Sequence, residues 1–145
     1  MTEIRKMSRE DLPQVAALEA AVFSLPWSEK GFLDSLNDPA TEYLCVLSGT
    51  KVVGYCGFLQ VLDEADITNV AVDEAFRGQG IGRRMLEQLM DAGRARGVKA
   101  FTLEVRTGNT AAVSLYEKLG FERAGIRRNF YDLPKEDALI MWKYE

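Results

Sequence analysis

Histidine is absent from the sequence and cysteine is scarce. Without histidine, a His-based catalytic triad and a His-ligated metal site are excluded, so any general base must be a carboxylate, tyrosine, cysteine, lysine or water. We expect no metal. The two cysteines, Cys45 and Cys56, lie in separate strand-like runs and form no Cys-x-x-Cys pair. This favours buried, reduced thiols of a cytoplasmic protein over a disulfide.

Long apolar runs are also missing. No window approaches the roughly 18 apolar residues that a membrane helix needs, so we expect no membrane span. No apolar run follows the first charged residues, so we expect no signal peptide either. The 18 basic and 22 acidic side chains give a net charge of −4. This argues against nucleic acid as the main partner and leaves a basic substrate open. With 145 residues, 47% of them hydrophobic, we expect one globular domain over residues 1–145.

Glycine is concentrated in one place. Gly78, Gly80 and Gly82 stand on alternate positions between a short β-branched strand and a helix with an apolar stripe. Glycines let main-chain amides approach a ligand, and the first turn of a helix leaves N–H groups unpaired. Together they predict a phosphate or pyrophosphate site, although a plain turn from strand to helix remains an alternative. Full positive charges bracket the glycines, at Arg77, Arg83 and Arg84.

Two common phosphate motifs do not fit this loop. No Lys-Ser or Lys-Thr pair follows any of the glycines, so the loop is not a P-loop. A dinucleotide-binding fold would place the glycines directly after the strand, whereas residues 73–77 intervene here. The chain also offers only one crossover of the required kind, too few for a doubly wound sheet.

Apolar periodicity predicts an α+β fold. The order is strand, two helices, three strands, helix, strand, helix and two strands. The predicted strands cover residues 2–7, 43–47, 52–61, 67–72, 101–106, 121–131 and 138–144. Four helices lie between them and begin near Ser8, Ser28, Ile81 and Asn109. The strand before the glycines and the strand after the long helix should be parallel neighbours in a mixed sheet.

Two titratable side chains, one on the fifth predicted strand and one on the helix after it, are candidate catalytic groups. Glu104 lies on the polar face of an otherwise apolar strand, where it is either a proton acceptor or a solvated carboxylate paired with Arg106. Tyr116 lies on an apolar helix, where it is either a proton donor or an aromatic residue at the core edge whose hydroxyl is bonded nearby. Asn109 fits both a helix cap and a ligand contact.

Residues 77–82 (Arg-Gly-Gln-Gly-Ile-Gly), preceded by Asn-Val-Ala-Val-Asp, resemble the signature of the GNAT acetyltransferase superfamily. Other stretches across the chain are similar to one branch, the RimI-type ribosomal-protein alanine N-acetyltransferases. They are residues 26–30, 103–106, 109–112, 115–121, 127–131 and 136–141. Phe130 departs from the pattern, since a tyrosine is also common there in this family. Phe130 retains the aromatic ring of a tyrosine but lacks its hydroxyl group.

This resemblance implies a GNAT fold, with a mixed, mostly antiparallel sheet of about seven strands flanked by about four helices. It also implies transfer of an acetyl group from acetyl-coenzyme A (acetyl-CoA) to a protein N-terminal α-amine, most specifically the N-terminal alanine of a small-subunit ribosomal protein. Two alternatives stay open. The chain could acetylate another protein N-terminus or a small amine such as a polyamine, or it could be a non-catalytic subunit that binds acyl-CoA.

By the same resemblance, Glu104 is the proton acceptor and Tyr116 the proton donor, with direct transfer and no acyl-enzyme. The pKa of a phenol is near 10 and that of a thiol is near 8.5, so proton transfer from the phenol to the thiolate is close to thermoneutral. The implied acetyl-CoA contacts are Val70, Ala71, Val72, Gly78, Gln79, Gly80, Ile81, Gly82, Arg83 and Asn109. The implied walls of the peptide groove are Leu25, Trp27, Arg127 and Tyr131, with Arg128 and Phe130 beside them.

Overall fold

The structure, a computed structural model, describes residues 2–145. In this range the strands are β1 (Thr2–Lys6), β2 (Thr41–Ser48), β3 (Lys51–Val61), β4 (Glu64–Val72), β5 (Ala100–Arg106), β6 (Glu122–Tyr131) and β7 (Glu136–Tyr144). The helices are α1 (Leu12–Val22), α2 (Glu29–Leu36), α3 (Ile81–Ala95) and α4 (Thr110–Lys118). The predicted order of elements is therefore confirmed. Over these residues, no helix is both long and apolar enough to cross a membrane.

The strands form one mixed sheet in the order β1-β2-β3-β4-β5-β7-β6. Only β4 and β5 are parallel, as predicted for two strands joined through the α3 crossover. The fourth predicted strand, residues 67–72, begins too late. Glu64 already pairs with Val61, and the turn is only the two residues between them. The closing strand likewise begins at Glu136, which pairs with Tyr131.

Helices cover both faces of the sheet. On one face, α3 and α4 pack on a buried apolar cluster that includes Leu86, Phe101 and Met141. On the other, α1 and α2 pack on a second cluster that includes Val15 and Phe32. The caps follow the sequence, since the side chains of Ser28 and Asn109 accept hydrogen bonds from the first turns of α2 and α4. Left-handed glycines at 97 and 120 follow α3 and α4.

The parallel pair β4 and β5 opens into a cleft. Ladder pairing joins them only from Glu64–Asp66 to Ala100–Thr102. Beyond this point β4 stays paired to β3, while β5 stays paired to β7. A bulge accompanies the opening, because Gly57 pairs with Asn69 and Phe58 with Ile67, which leaves Thr68 without a partner on β3. We use "the cleft" for the gap between residues 67–72 of β4 and 103–106 of β5.

Candidate active site

The glycine loop leads from the end of β4 into α3. Gly78 and Gly80 have φ angles of 79° and 78°, in the left-handed region that glycine tolerates best. The N–H groups of residues 78–83 find no hydrogen-bond acceptor within the described part of the chain, and the first paired amide is that of Arg84, which bonds the carbonyl of Gly80. Consecutive unpaired amides at the positive end of a fifteen-residue helix form a binding site suited to a phosphate or diphosphate.

Gly82 contributes packing instead of an unusual φ angle. A Cβ atom there would lie 3.1 Å from Cδ2 of Leu115, so the missing side chain lets the start of α3 approach α4 closely. Residue 116 follows Leu115 directly. The glycine loop and the helix that carries Tyr116 are therefore neighbours.

The three arginines near the loop differ in their partners. Arg83 forms an exposed ion pair with Glu87, in which Nε and Oε1 are 3.2 Å apart. An exposed pair of this kind is weak, so the charge of Arg83 remains available to a ligand. The Nε of Arg77 donates to the carbonyl of Val72 at 3.1 Å. Arg84 instead donates to the hydroxyl of Thr2 on β1 at 2.7 Å. Arg77 and Arg83 are thus the two arginines best placed to add charge at the loop.

Val70, Ala71 and Val72 form the β4 side of the cleft. On one edge they pair with β3, whereas on the other edge ladder pairing with β5 has already ended. The side chains of Val70 and Val72 pack on the cluster below α3 and α4, and Ala71 is buried in the opposite cluster. This stretch therefore presents main-chain groups to the cleft, an arrangement suited to an extended ligand that adds along the strand.

Glu104 lies on the β5 side of the cleft, on the face covered by α1 and α2. Its predicted alternative pairing with Arg106 is wrong. Arg106 instead bonds Oε1 of Glu136 at 3.2 Å and the carbonyl of Pro134 at 2.8 Å, and it stacks 4.4 Å above the ring of Tyr131. Within residues 2–145, Glu104 has no hydrogen bond or ion pair of its own, so its carboxylate oxygens are available to a bound ligand.

Tyr116 lies on the α3 and α4 side of the sheet, opposite to the face that carries Glu104. Its ring is buried and packs edge-on against Phe121, with ring centroids 6.0 Å apart. Its hydroxyl bonds no acceptor among the described side chains and main-chain groups, yet it is not sealed inside the core. Burial, with a smaller contribution from Tyr131, raises the pKa of Tyr116 above its usual value. The phenol therefore stays protonated. It is a weaker acid than we predicted when we compared the usual pKa of a phenol with that of a thiol.

Tyr131 lies within electrostatic range of both candidate catalytic groups. Burial and the negative charge of Glu104 raise its pKa to about 12. Tyr131 in turn raises the pKa of Tyr116. Asp66, which the sequence reasoning missed, lies at the point where β4 and β5 separate, and burial and the charge of Glu104 raise its pKa against the opposing effect of Arg127. The neighbourhood of Glu104 is thus acidic and suited to an amine.

The predicted walls of the peptide groove come from two segments. Leu25 and Trp27 lie in the loop between α1 and α2, where their side chains are 60% and 36% exposed. Arg127 and Tyr131 lie on the edge strand β6, with the exposed Phe130 between them in an edge-on pair with Tyr131. The role of these two segments as walls of a peptide groove stays a prediction.

The sequence model described as the Acetyltransferase (GNAT) family matches residues 4–121 of the chain. The chain belongs to this family. The GNAT protein described here is 41% identical over 143 residues to the ribosomal protein bS18-alanine N-acetyltransferase of Escherichia coli strain K12, which covers 97% of this chain and 96% of that relative. It is 39% identical over 144 residues to the N-alpha-acetyltransferase RimI of Mycobacterium tuberculosis, over 95% of this chain and 89% of that one.

A solved structure agrees with the family. The crystal structure of the ribosomal-protein-S18-alanine N-acetyltransferase from Escherichia coli matches with a TM-score of 0.91 at 39% identity, over 99% of this chain and 94% of the other. The predicted GNAT fold and the acetyltransferase class are therefore confirmed. The roles of individual residues in this GNAT protein stay predictions.

The cysteines of this GNAT protein are poor candidates for a nucleophile. Cys45 and Cys56 are free thiols with no exposed surface. Burial raises the pKa of Cys45 to about 12, and burial also raises the pKa of Cys56. The reactive thiolate is therefore scarce, which favours direct transfer over an acyl-enzyme. No group of three or more acidic, Cys or His side chains in residues 2–145 lies close enough to hold a metal ion.

One buried polar cluster escaped the sequence reasoning. The hydroxyl of Tyr43 on β2 donates to Oδ1 of Asn69 at 3.2 Å, across the intervening strand β3. Gly57 makes this possible, because a Cβ atom there would lie 2.1 Å from the Tyr43 ring. Thr68 donates to the same oxygen at 2.8 Å, so Tyr43 supports the bulge at the mouth of the cleft. A glycine inside an apolar strand was the available signal.

Proposed function

We propose that this GNAT acetyltransferase transfers the acetyl group of acetyl-CoA to the α-amine of a protein N-terminus, with the N-terminal alanine of a small-subunit ribosomal protein as its substrate. The observation that carries the proposal is the unpaired carboxylate of Glu104 beside a cleft whose other wall is an edge of β4 that does not pair with β5. The substrate named for the relative from Escherichia coli supports the choice of a ribosomal N-terminus.

The chain's own groups fit acetyl-CoA. The amides of residues 78–83 would hold the diphosphate, with Arg83 adding charge. The edge of β4 at Val70, Ala71 and Val72, which does not pair with β5, would hold the pantetheine arm as an added strand, and one of its N–H groups would polarise the thioester oxygen. Asn109 caps α4 by accepting from the N–H of Ala112 at 3.2 Å, which leaves its amide nitrogen for the coenzyme.

Two proton transfers frame the reaction. Glu104, directly or through a water, accepts the proton of the attacking α-amine, which at neutral pH is mostly protonated because its pKa is about 7.7–8.0. As the new carbon–nitrogen bond forms and the carbon–sulfur bond breaks, Tyr116 donates its proton to the departing sulfur. The nitrogen of the product then gives up its second proton, which restores the phenol of Tyr116 and leaves a neutral amide. Glu104 and Tyr116 lie on opposite faces of the sheet, and we place the reacting thioester in the gap between β4 and β5, where a ligand can face both sides.

A screen of synthetic peptides that vary in their first three residues, with acetylation read by mass, tests the substrate. We expect turnover on peptides that begin with alanine. Turnover on polyamines or other free amines, with none on alanine peptides, would favour the small-amine alternative. Tight binding of the coenzyme without turnover on any peptide would favour a non-catalytic acyl-CoA-binding subunit.

Replacing Gly80 with alanine tests the coenzyme loop. A Cβ at φ 78° is strained by roughly 1 kcal/mol, so the loop should relax and turn its amides away from the diphosphate. We expect the KM for acetyl-CoA to rise by about tenfold, the equivalent of one lost hydrogen bond to a charged group.

Gly97 provides the matched control for Gly80. It has a φ angle of 85° and equally open space, but it lies at the far end of α3. Gly97→Ala should cost similar stability and leave the KM for acetyl-CoA unchanged. An equal rise in KM in both variants would show that strain, and not the loop, is responsible.

A further inference from the structure

Glu19 is a buried carboxylate that the proposed mechanism does not use. It lies in the last turn of α1, only 3% exposed, and it pairs with no Lys or Arg of the described chain. Burying a carboxylate without a cation costs free energy that an apolar side chain at this position would avoid. The structural role of Glu19 must therefore lie in the groups that its carboxylate oxygens bind.

Each oxygen of Glu19 holds a different part of the molecule. Oε2 accepts from the main-chain N–H of Trp27, at 2.9 Å, in the loop between α1 and α2. Oε1 accepts from the hydroxyl of Tyr55, a fully buried residue of the central strand β3. The carboxylate thus connects the exposed loop to the rigid sheet, and its two neutral donors compensate for the missing cation.

Aromatic packing reinforces the same connection. The ring of Trp27 lies 5.3 Å from that of Phe32 on α2, and Phe32 packs edge-on against Tyr55 at 5.7 Å. Phe32 and Tyr55 are buried, whereas Trp27 and Leu25 stay exposed at the end of this chain of contacts. These contacts therefore tie the loop to β3, and β3 is the strand that pairs with β4 at the cleft.

We infer that Glu19 is a positioning residue for the acceptor peptide: it fixes the Trp27 loop against β3 and so sets the affinity for the peptide, but not that for acetyl-CoA. The inference rests on the proposed function, because it assumes that this loop lines the peptide groove. The glycine loop and the edge of β4 lie outside the contacts of Glu19. Loosening the Trp27 loop should therefore leave the coenzyme site intact.

The test replaces the carboxylate without leaving a hole. In the double variant Glu19→Met/Tyr55→Phe, both bonding partners become apolar groups of similar shape, which limits the loss of stability. Only the main-chain N–H of Trp27 then loses its hydrogen-bond acceptor. In Glu19→Gln, the amide oxygen can accept from Trp27 while its nitrogen donates to Tyr55, so this variant should restore the wild-type behaviour.

Two measurements are made on each variant. In a Trp142→Phe background Trp27 is the only tryptophan, and its quenching by acrylamide reports loop mobility without any turnover. We expect stronger quenching in the double variant, together with a rise of about tenfold or more in the peptide KM and an acetyl-CoA KM within about twofold of wild type. Glu19→Gln should match wild type in all three.

Three outcomes would overturn the inference. Unchanged quenching in the double variant would show that Glu19 does not anchor the loop. Stronger quenching with an unchanged peptide KM would show an anchored loop that does not position substrate. A parallel rise in both KM values would indicate a general loss of structure. Because quenching needs no substrate, a failure of the proposed function itself would appear separately, as absent peptide turnover with the anchor intact.

Discussion

Glu104→Gln is expected to lower kcat/KM for an alanine-starting peptide by about 10²- to 10⁴-fold at neutral pH, the usual range for a lost general base. The amide keeps the size of the side chain but cannot accept a proton. In the structure Glu104 makes no ion pair, so this substitution breaks no contact and should leave stability nearly unchanged. Thermal unfolding of the variant checks that point.

The pH dependence distinguishes a base from a simple negative charge. Below about pH 8 the α-amine is mostly protonated and needs the carboxylate, whereas at higher pH it loses its proton unaided. The ratio of wild-type to variant rates should therefore fall steadily between about pH 6.5 and about pH 9.5. A ratio that stays constant over this range would remove Glu104 as the base.

Asp66→Asn is the control for the charge itself. Asp66 lies where β4 and β5 separate, close enough to Glu104 for their charges to interact. Its removal takes one negative charge from the same surroundings and leaves the proton acceptor in place. We expect a much smaller loss than for Glu104→Gln. Losses of equal size would indicate that both carboxylates act only by attracting the protonated amine.

Local sequence patterns could predict the elements of this fold, because most of them depend on short-range rules. Strand alternation placed Glu104 on the polar face of β5, and the caps Ser28 and Asn109 marked helix starts that the structure confirms. The glycine loop was also correctly located, although its glycines do different jobs. Gly78 and Gly80 supply positive φ angles, while Gly82 supplies room for Leu115.

Contacts between distant parts of the chain could not be predicted in the same way. Spacing suggested that Arg106 pairs with Glu104, but its partner Glu136 comes from the neighbouring strand, thirty residues further along the chain. Glu19 and Tyr55 are likewise separated by thirty-six residues, and no local pattern indicates that they touch. These contacts thus depend on sheet order and register, which a single sequence specifies only indirectly.

Tyr116→Phe is expected to lower kcat by about 10²-fold, at the lower end of the range for general acid–base groups. Phenylalanine keeps the packing against Phe121, so only the hydroxyl is lost. Burial raises the pKa of Tyr116, which makes donation to a thiolate uphill, although a thiolate that forms in the same water-poor cleft also has a raised pKa. Partial compensation of this kind is the reason for the modest expected loss.

The choice of thioester and a second tyrosine make this test specific. An acyl donor with a more acidic leaving thiol needs less help from a proton donor, so the loss in Tyr116→Phe should shrink with such a donor. The KM for acetyl-CoA should not change.

Tyr131→Phe serves as the control, because Tyr131 lies close to both Glu104 and Tyr116 on the proposed peptide side. It should raise the peptide KM more than it lowers kcat. Unchanged turnover in Tyr116→Phe, or an equal loss with every thioester, would show that the departing sulfur takes its proton from another source.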